Sequence, residues 1–130
     1  MLINKSVPYY KTLGLKLKEL GNGRAKFEVG VRKELTQRFS VHGGVFASMI
    51  DSACAIATMS VDPNAFPSTI NLQVSYLKPV TKGIITCQAE VVKNGKNICF
   101  CEAKVWNDKR ELVATGTSQL MKVEIKKKFF

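Results

Sequence analysis

The chain has 130 residues, 45% of them hydrophobic and 23% charged; this is one ordinary globular domain, without room for a cofactor domain beside a substrate domain. No apolar run reaches the roughly 18 residues needed to cross a bilayer. Lys and Arg number 20 against 10 Asp and Glu, a formal charge of +10, so an anionic partner is expected: nucleic acid, membrane phosphate or a phosphorylated small molecule, with much of the charge simply solvated.

The start, Met1-Leu2-Ile3-Asn4-Lys5, has no basic stretch leading into an apolar core, and no signal peptide is expected. Reduced thiols and a cytoplasmic location follow as the default. Val7 to Leu13 reads as a short helix with Pro8 in its first turn. Leu15 to Leu20 alternates apolar and charged residues as a half-exposed strand, Gly21-Asn22-Gly23 is turn chemistry, and Ala25 to Val31 alternates again.

Gly44 to Ser60 differs from everything else. It is rich in Ala and long apolar residues, has no polar face, and carries Asp51 as its only charge. An all-round apolar helix is normally buried on several sides, and this one is too short to span a membrane. A loop is expected over Asp62 to Pro67, then a strand from Ile70 to Tyr76 ended by Pro79. Ile84 to Val92 and Asn97 to Trp106 flank an Asn94-Gly95 hairpin signal. A last strand covers Leu112 to Val123, and the tail Lys126-Lys127-Lys128-Phe129-Phe130 reads as a frayed end. One buried helix with about five or six antiparallel strands curling around it is an α+β layout.

The hairpin register can be argued. Ile85, Cys87, Ala89 and Val91 face Cys99, Cys101, Ala103 and Val105, all odd-numbered. A two-residue turn would pair odd with even and split the two apolar sets between faces. A three-residue loop, Lys93-Asn94-Gly95 with Gly95 left-handed, pairs odd with odd and sets Cys87 opposite Cys101. Those two are either reduced core thiols, the commoner case, or a cross-strand disulfide.

Chemistry concentrates at the helix start. In Val41-His42-Gly43-Gly44 two bare glycines expose backbone N–H groups at the positive end of the helix dipole, which suits an anion or a developing oxyanion. The plainer reading is close packing at the helix start. Asp51 lies among Met49, Ile50, Ala53 and Cys54, where a carboxylate is costly unless paired or working; the plainer alternative is a cap on neighbouring backbone. His42 is equally explicable as a capping or packing residue. His42 and Asp51 are nine residues apart, about 900° around the axis and roughly 13 Å along it. If both serve one site, that site lies between two subunits. His42 is the single histidine, which excludes metal sites needing several imidazoles. Cys54, Cys87, Cys99 and Cys101 form no CxxC pair. No dinucleotide fingerprint, phosphate-binding P-loop, GxSxG elbow or RNA-binding aromatic pattern is present.

The stretch from His42 to Ala53 resembles the HGG…D signature of hotdog-fold acyl-CoA thioesterases of the PaaI type, and Gln73 to Pro79 resembles the strand that follows their helix. The similarity covers about residues 12 to 123 and implies a single hotdog domain over 1–130, with a basic tail from 124. It implies hydrolysis of an acyl- or aryl-acyl-CoA thioester without metal or redox cofactor, by homodimers or dimer-of-dimers tetramers with sites across the subunit interface, and with neither nucleic acid nor membrane as partner. Carried over by position, Asp51 is general base or nucleophile, the Gly43 N–H polarises the thioester carbonyl, and His42 sits beside the carbonyl or orders the loop. Thr69 falls where relatives position water opposite Asp51. Gly44, Thr36, Gln37 and Ser52 belong to the substrate-binding side.

The chain departs from the family pattern at two places. Thr36 stands where many relatives have an asparagine, with Gln37 as the nearest amide, and Phe39 replaces a usual glycine. These departures leave a non-catalytic acyl-CoA-binding or regulatory hotdog protein as the main rival, ahead of a hydratase or dehydratase and of nucleic-acid binding. Lys78, Lys82 and Lys104 are candidate contacts for coenzyme A phosphates.

Overall fold

The computed structural model describes residues 7–124; the basic tail from Lys126 lies outside them. A short helix, α1 (Pro8–Leu13), leads into β1 (Lys16–Gly21) and β2 (Arg24–Gly30), and a 3-10 turn (Lys33–Leu35) leads to the long helix α2 (Gly43–Val61). Four strands follow: β3 (Ala65–Tyr76), β4 (Ile84–Asn94), β5 (Ile98–Trp106) and β6 (Leu112–Glu124). All pairings are antiparallel, in the order β1-β2-β4-β5-β6-β3.

Alternation explains the sheet. Ala25, Phe27 and Val29 on β2, Ile85, Cys87 and Ala89 on β4, and Cys99, Cys101, Ala103 and Val105 on β5 are all buried against α2. Their neighbours in sequence point to the outer face. α2 answers with Phe46, Met49, Ile50, Ala53, Cys54 and Ala57, each at most 3% exposed. At Gly116 the helix approaches so closely that a Cβ would lie 2.9 Å from the Ile50 side chain. Gly44, Ala47, Ser48, Asp51 and Ala55 form the less buried stripe of α2.

Four expectations need correction. At 19 residues α2 is long and apolar enough, by length and composition, to cross a bilayer, so length does not exclude a span; what accounts for its apolar surface is burial against its own sheet. The segment Asp62 to Pro67 is not all loop. β3 already begins at Ala65, with Pro67 paired to Lys122; β3 is an edge strand, where the missing proline N–H costs no ladder bond.

The β4–β5 hairpin does pair odd with odd between Thr86 and Val91, but in a different register. Near the turn Asn94 pairs with Cys99 and Lys93 with Phe100; a bulge at Val92 then restores the parity. Cys87 therefore faces Val105, and Cys101 faces Val91. Gly95 is not among the residues with positive φ. All four cysteines are free and buried, so the disulfide alternative falls. Burial pushes the Cys87 thiol well up.

Candidate active site

The helix start is held by its own chain. His42, the N-cap residue, accepts the Gly44 N–H on Nδ1 at 2.8 Å, which leaves its proton on Nε2 and its outer edge exposed. Val41 donates to the Val80 carbonyl at 2.8 Å, and His42 to that of Leu35 at 2.9 Å. The packing explanation of the two glycines is correct as far as it goes. A Cβ on Gly43 would lie 3.1 Å from the Tyr76 ring, and one on Gly44 2.9 Å from His42 Nδ1. The packing still leaves a chemical resource. The Gly43 N–H has no hydrogen-bond acceptor among the described residues, and it stands at the positive end of a 19-residue helix.

Asp51 sits in the third turn of the helix and is half-buried. Its Oδ1 accepts from Thr69 Oγ1 at 2.6 Å. Thr69 adjoins a bulge in β3, where the register slips between Thr69 and Asn71; bulges re-aim side chains in this way. Ser52 is buried beside Tyr10. Burial raises the Tyr10 hydroxyl above its ordinary range, a hydrogen bond with Ser52 opposes this, and the Asp51 charge adds to it.

The predicted residues thus fall into two groups. His42, Gly44 and Thr36 line one cavity of about 450 Å³, together with Tyr9, Leu13, Arg32, Val45 and Ser48. Asp51 and Thr69 are not in its lining, and Asp51 makes no hydrogen bond to His42 or Gly43. Of the two candidates to replace the usual asparagine, Thr36 lines the cavity, with its Oγ1 donating to the Lys33 carbonyl at 2.7 Å, while exposed Gln37 does not line it. Phe39 is 83% exposed on the loop before the helix. Lys78 pairs with Glu111, and Lys82 is on the loop that carries Val80. Lys104 is on the outer sheet face, beside Glu102 and Trp106 in a separate groove, away from α2.

Sequence reasoning missed Tyr76 and the Tyr9–Ser48 contact. Tyr76 Oη donates to the Gly43 carbonyl at 2.9 Å, and its ring lies 6.2 Å from that of Phe46. Tyr9 and Ser48 hydroxyls meet at 2.6 Å. These pairs are 33 and 39 positions apart, and no local pattern announces them.

The family model described as the thioesterase superfamily matches residues 40–114, from the loop before α2 into β6. The chain belongs to the thioesterase superfamily. Among curated relatives of this thioesterase chain, the esterase candidate SSO2140 of Saccharolobus solfataricus is 30% identical over 102 residues, 78% of this chain and 73% of that protein. The 1,4-dihydroxy-2-naphthoyl-CoA hydrolase of Listeria monocytogenes is 25% identical over 105 residues, 79% and 85% of the two. A variant of the phenylacetic acid degradation protein PaaI of Thermus thermophilus shares the fold with a TM-score of 0.83 at 24% identity, over 90% of this chain and all of that one (100%). The wrapped helix is therefore the hotdog fold, which PaaI shares, and the chain is a thioester hydrolase.

Proposed function

We propose that this thioesterase hydrolyses acyl-coenzyme A thioesters, with Asp51 as general base or nucleophile and the Gly43 N–H as oxyanion donor. The observation that carries the reading is the Asp51–Thr69 pair at 2.6 Å, a carboxylate and a hydroxyl at the foot of a bulge, suited to hold and deprotonate a water. The Gly43 N–H, with no acceptor of its own among the described residues, supports the oxyanion role. His42, fixed by its cap to Gly44, offers Nε2–H beside the carbonyl. Gly44 and Thr36 shape the cavity that receives the acyl side, and Ser52 backs the helix turn that carries Asp51.

The separation of the two groups supports a site shared between two copies of the chain. β3 is a sheet edge 12 residues long, with Phe66, Ile70 and Tyr76 about half exposed. A long uncovered edge is a template for pairing with another strand. Antiparallel pairing of two β3 strands brings the Asp51–Thr69 pair of one copy toward the helix start of the other, in a twofold dimer. Part of the +10 charge then guides the phosphates of coenzyme A from a cytoplasmic pool.

The test is release of free thiol from a panel of acyl-CoA esters by the purified chain. The parent releases thiol and Asp51→Asn does not, while still binding the esters. Near-full turnover by Asp51→Asn removes the assignment. A second reading, an acyl-CoA-binding protein without turnover, is favoured by Thr36 alone, whose hydroxyl is turned onto the Lys33 carbonyl. Ester binding without thiol release by the parent supports that reading instead.

A further inference from the structure

One hydroxyl pair lies in the same cavity as the helix start and takes no part in the hydrolysis proposed above. Tyr9 of α1 and Ser48 of α2 meet at 2.6 Å, and both line the cavity of about 450 Å³ together with His42, Gly44 and Thr36. Ser48 follows Gly44 by four residues and so lies on the same helix face, about 6 Å further along the axis. Two hydroxyls bonded to each other use one of their two protons, which leaves one O–H donor and several lone pairs free.

The wall carrying Tyr9 is fixed in place. The Arg32 guanidinium donates to the carbonyls of Thr12 and, at 2.9 Å, Leu13. Gly14 closes the C-terminus of α1 with a φ of 80°, its N–H donating to Tyr10 and Lys11. Between the helix start and the hydroxyl pair the cavity has an apolar floor of Leu13, Leu35 and Val45, all buried.

We propose that Tyr9 and Ser48 determine acyl specificity by receiving a hydroxyl or keto oxygen carried by the acyl group roughly 7–8 Å from the thioester carbonyl, the axial rise from Gly43 to Ser48. The proposal rests on the thioesterase reading of this site. With its carbonyl at the Gly43 N–H, such an acyl group lies over the apolar floor and ends at the hydroxyl pair. An acyl group lacking the oxygen leaves the spare O–H facing apolar surface. Pockets built to hydrogen-bond a substrate oxygen discriminate in this way far better than pockets that sense size alone.

The experiment compares kcat/KM for two matched pairs of esters with the purified full chain. These are hexanoyl-CoA with ω-hydroxyhexanoyl-CoA, and benzoyl-CoA with para-hydroxybenzoyl-CoA. The parent favours the hydroxylated member by about tenfold or more. Tyr9→Phe and Ser48→Ala each bring that ratio down by about tenfold, and the double variant loses no more than either single one, because both act through one hydrogen-bonded unit. Hydrolysis with the ratio unchanged in both single variants overturns the specificity proposal alone. No hydrolysis of any ester by the parent overturns the thioesterase reading, and this proposal with it.

Discussion

The two parts of the site are built differently. The helix start is over-determined by its own chain: His42 caps Gly44, Tyr76 covers and bonds Gly43, and Val80 holds Val41. Among the described residues Asp51 has one side-chain partner, Thr69, on a bulged strand whose outer edge pairs with none of them. The donors that would polarise a carbonyl are rigid within one copy, as electrostatic preorganisation requires. The carboxylate stands beside an edge that a second copy can complete.

The largest expected effect breaks the catalytic half. Asp51→Asn should lower kcat by about 10³-fold or more with KM little changed, since general-base roles contribute roughly 10²–10⁴-fold; steady-state thiol release measures it. A comparison of Gly43→Pro with Gly43→Ala sharpens the other half. Both add atoms under the Tyr76 ring, and proline is tolerated at the first helical position, but only proline removes the N–H. Gly43→Pro should be slower than Gly43→Ala by about 10²-fold, the usual cost of losing an oxyanion donor. Equal rates for the two would assign Gly43 to packing alone.

A smaller loss is expected at the residue that sequence patterns do not flag. Tyr76→Phe removes the hydrogen bond to the Gly43 carbonyl, worth about 0.5–1.5 kcal/mol. kcat/KM should fall by about tenfold or less, with the melting temperature lowered by only a few degrees because the ring remains.

The smallest effect concerns the core rather than the site. Burial raises the Cys87 thiol above its ordinary 9.0. A proton held more tightly by the folded state adds stability that is complete below about pH 9 and is lost as pH rises. Urea unfolding should therefore show stability declining above about pH 9, with a shallower decline in Cys87→Ala. Identical pH slopes would remove Cys87 from the account.

Much of the fold was legible because its signals are local. The period-2 alternation of β2, β4 and β5 and the all-round apolar α2 each state which face is buried. The start of β3 was not, because Ala65-Phe66-Pro67 carries a proline that only an edge position makes acceptable, and edge or centre is decided by the whole sheet. The hairpin register was lost to a bulge at Val92 that no turn rule locates. In the site, the HGG start and Asp51 stand out by residue type and spacing. The division of Thr36 from Gln37, the cover of Tyr76 over Gly43 and the Tyr9–Ser48 pair depend on chain segments brought together from far apart.

The central claim is that Asp51 of one copy works with the helix start of another. Differently tagged Asp51→Asn and Gly43→Pro chains, each inactive alone, can be co-expressed and the mixed dimers purified through both tags. A twofold dimer of these chains carries one site with both defects and one site with none, so thiol release should return to about half the parent rate per dimer. Mixed dimers as inactive as the two single variants would contradict the account, since each copy would then need its own Asp51 and its own Gly43.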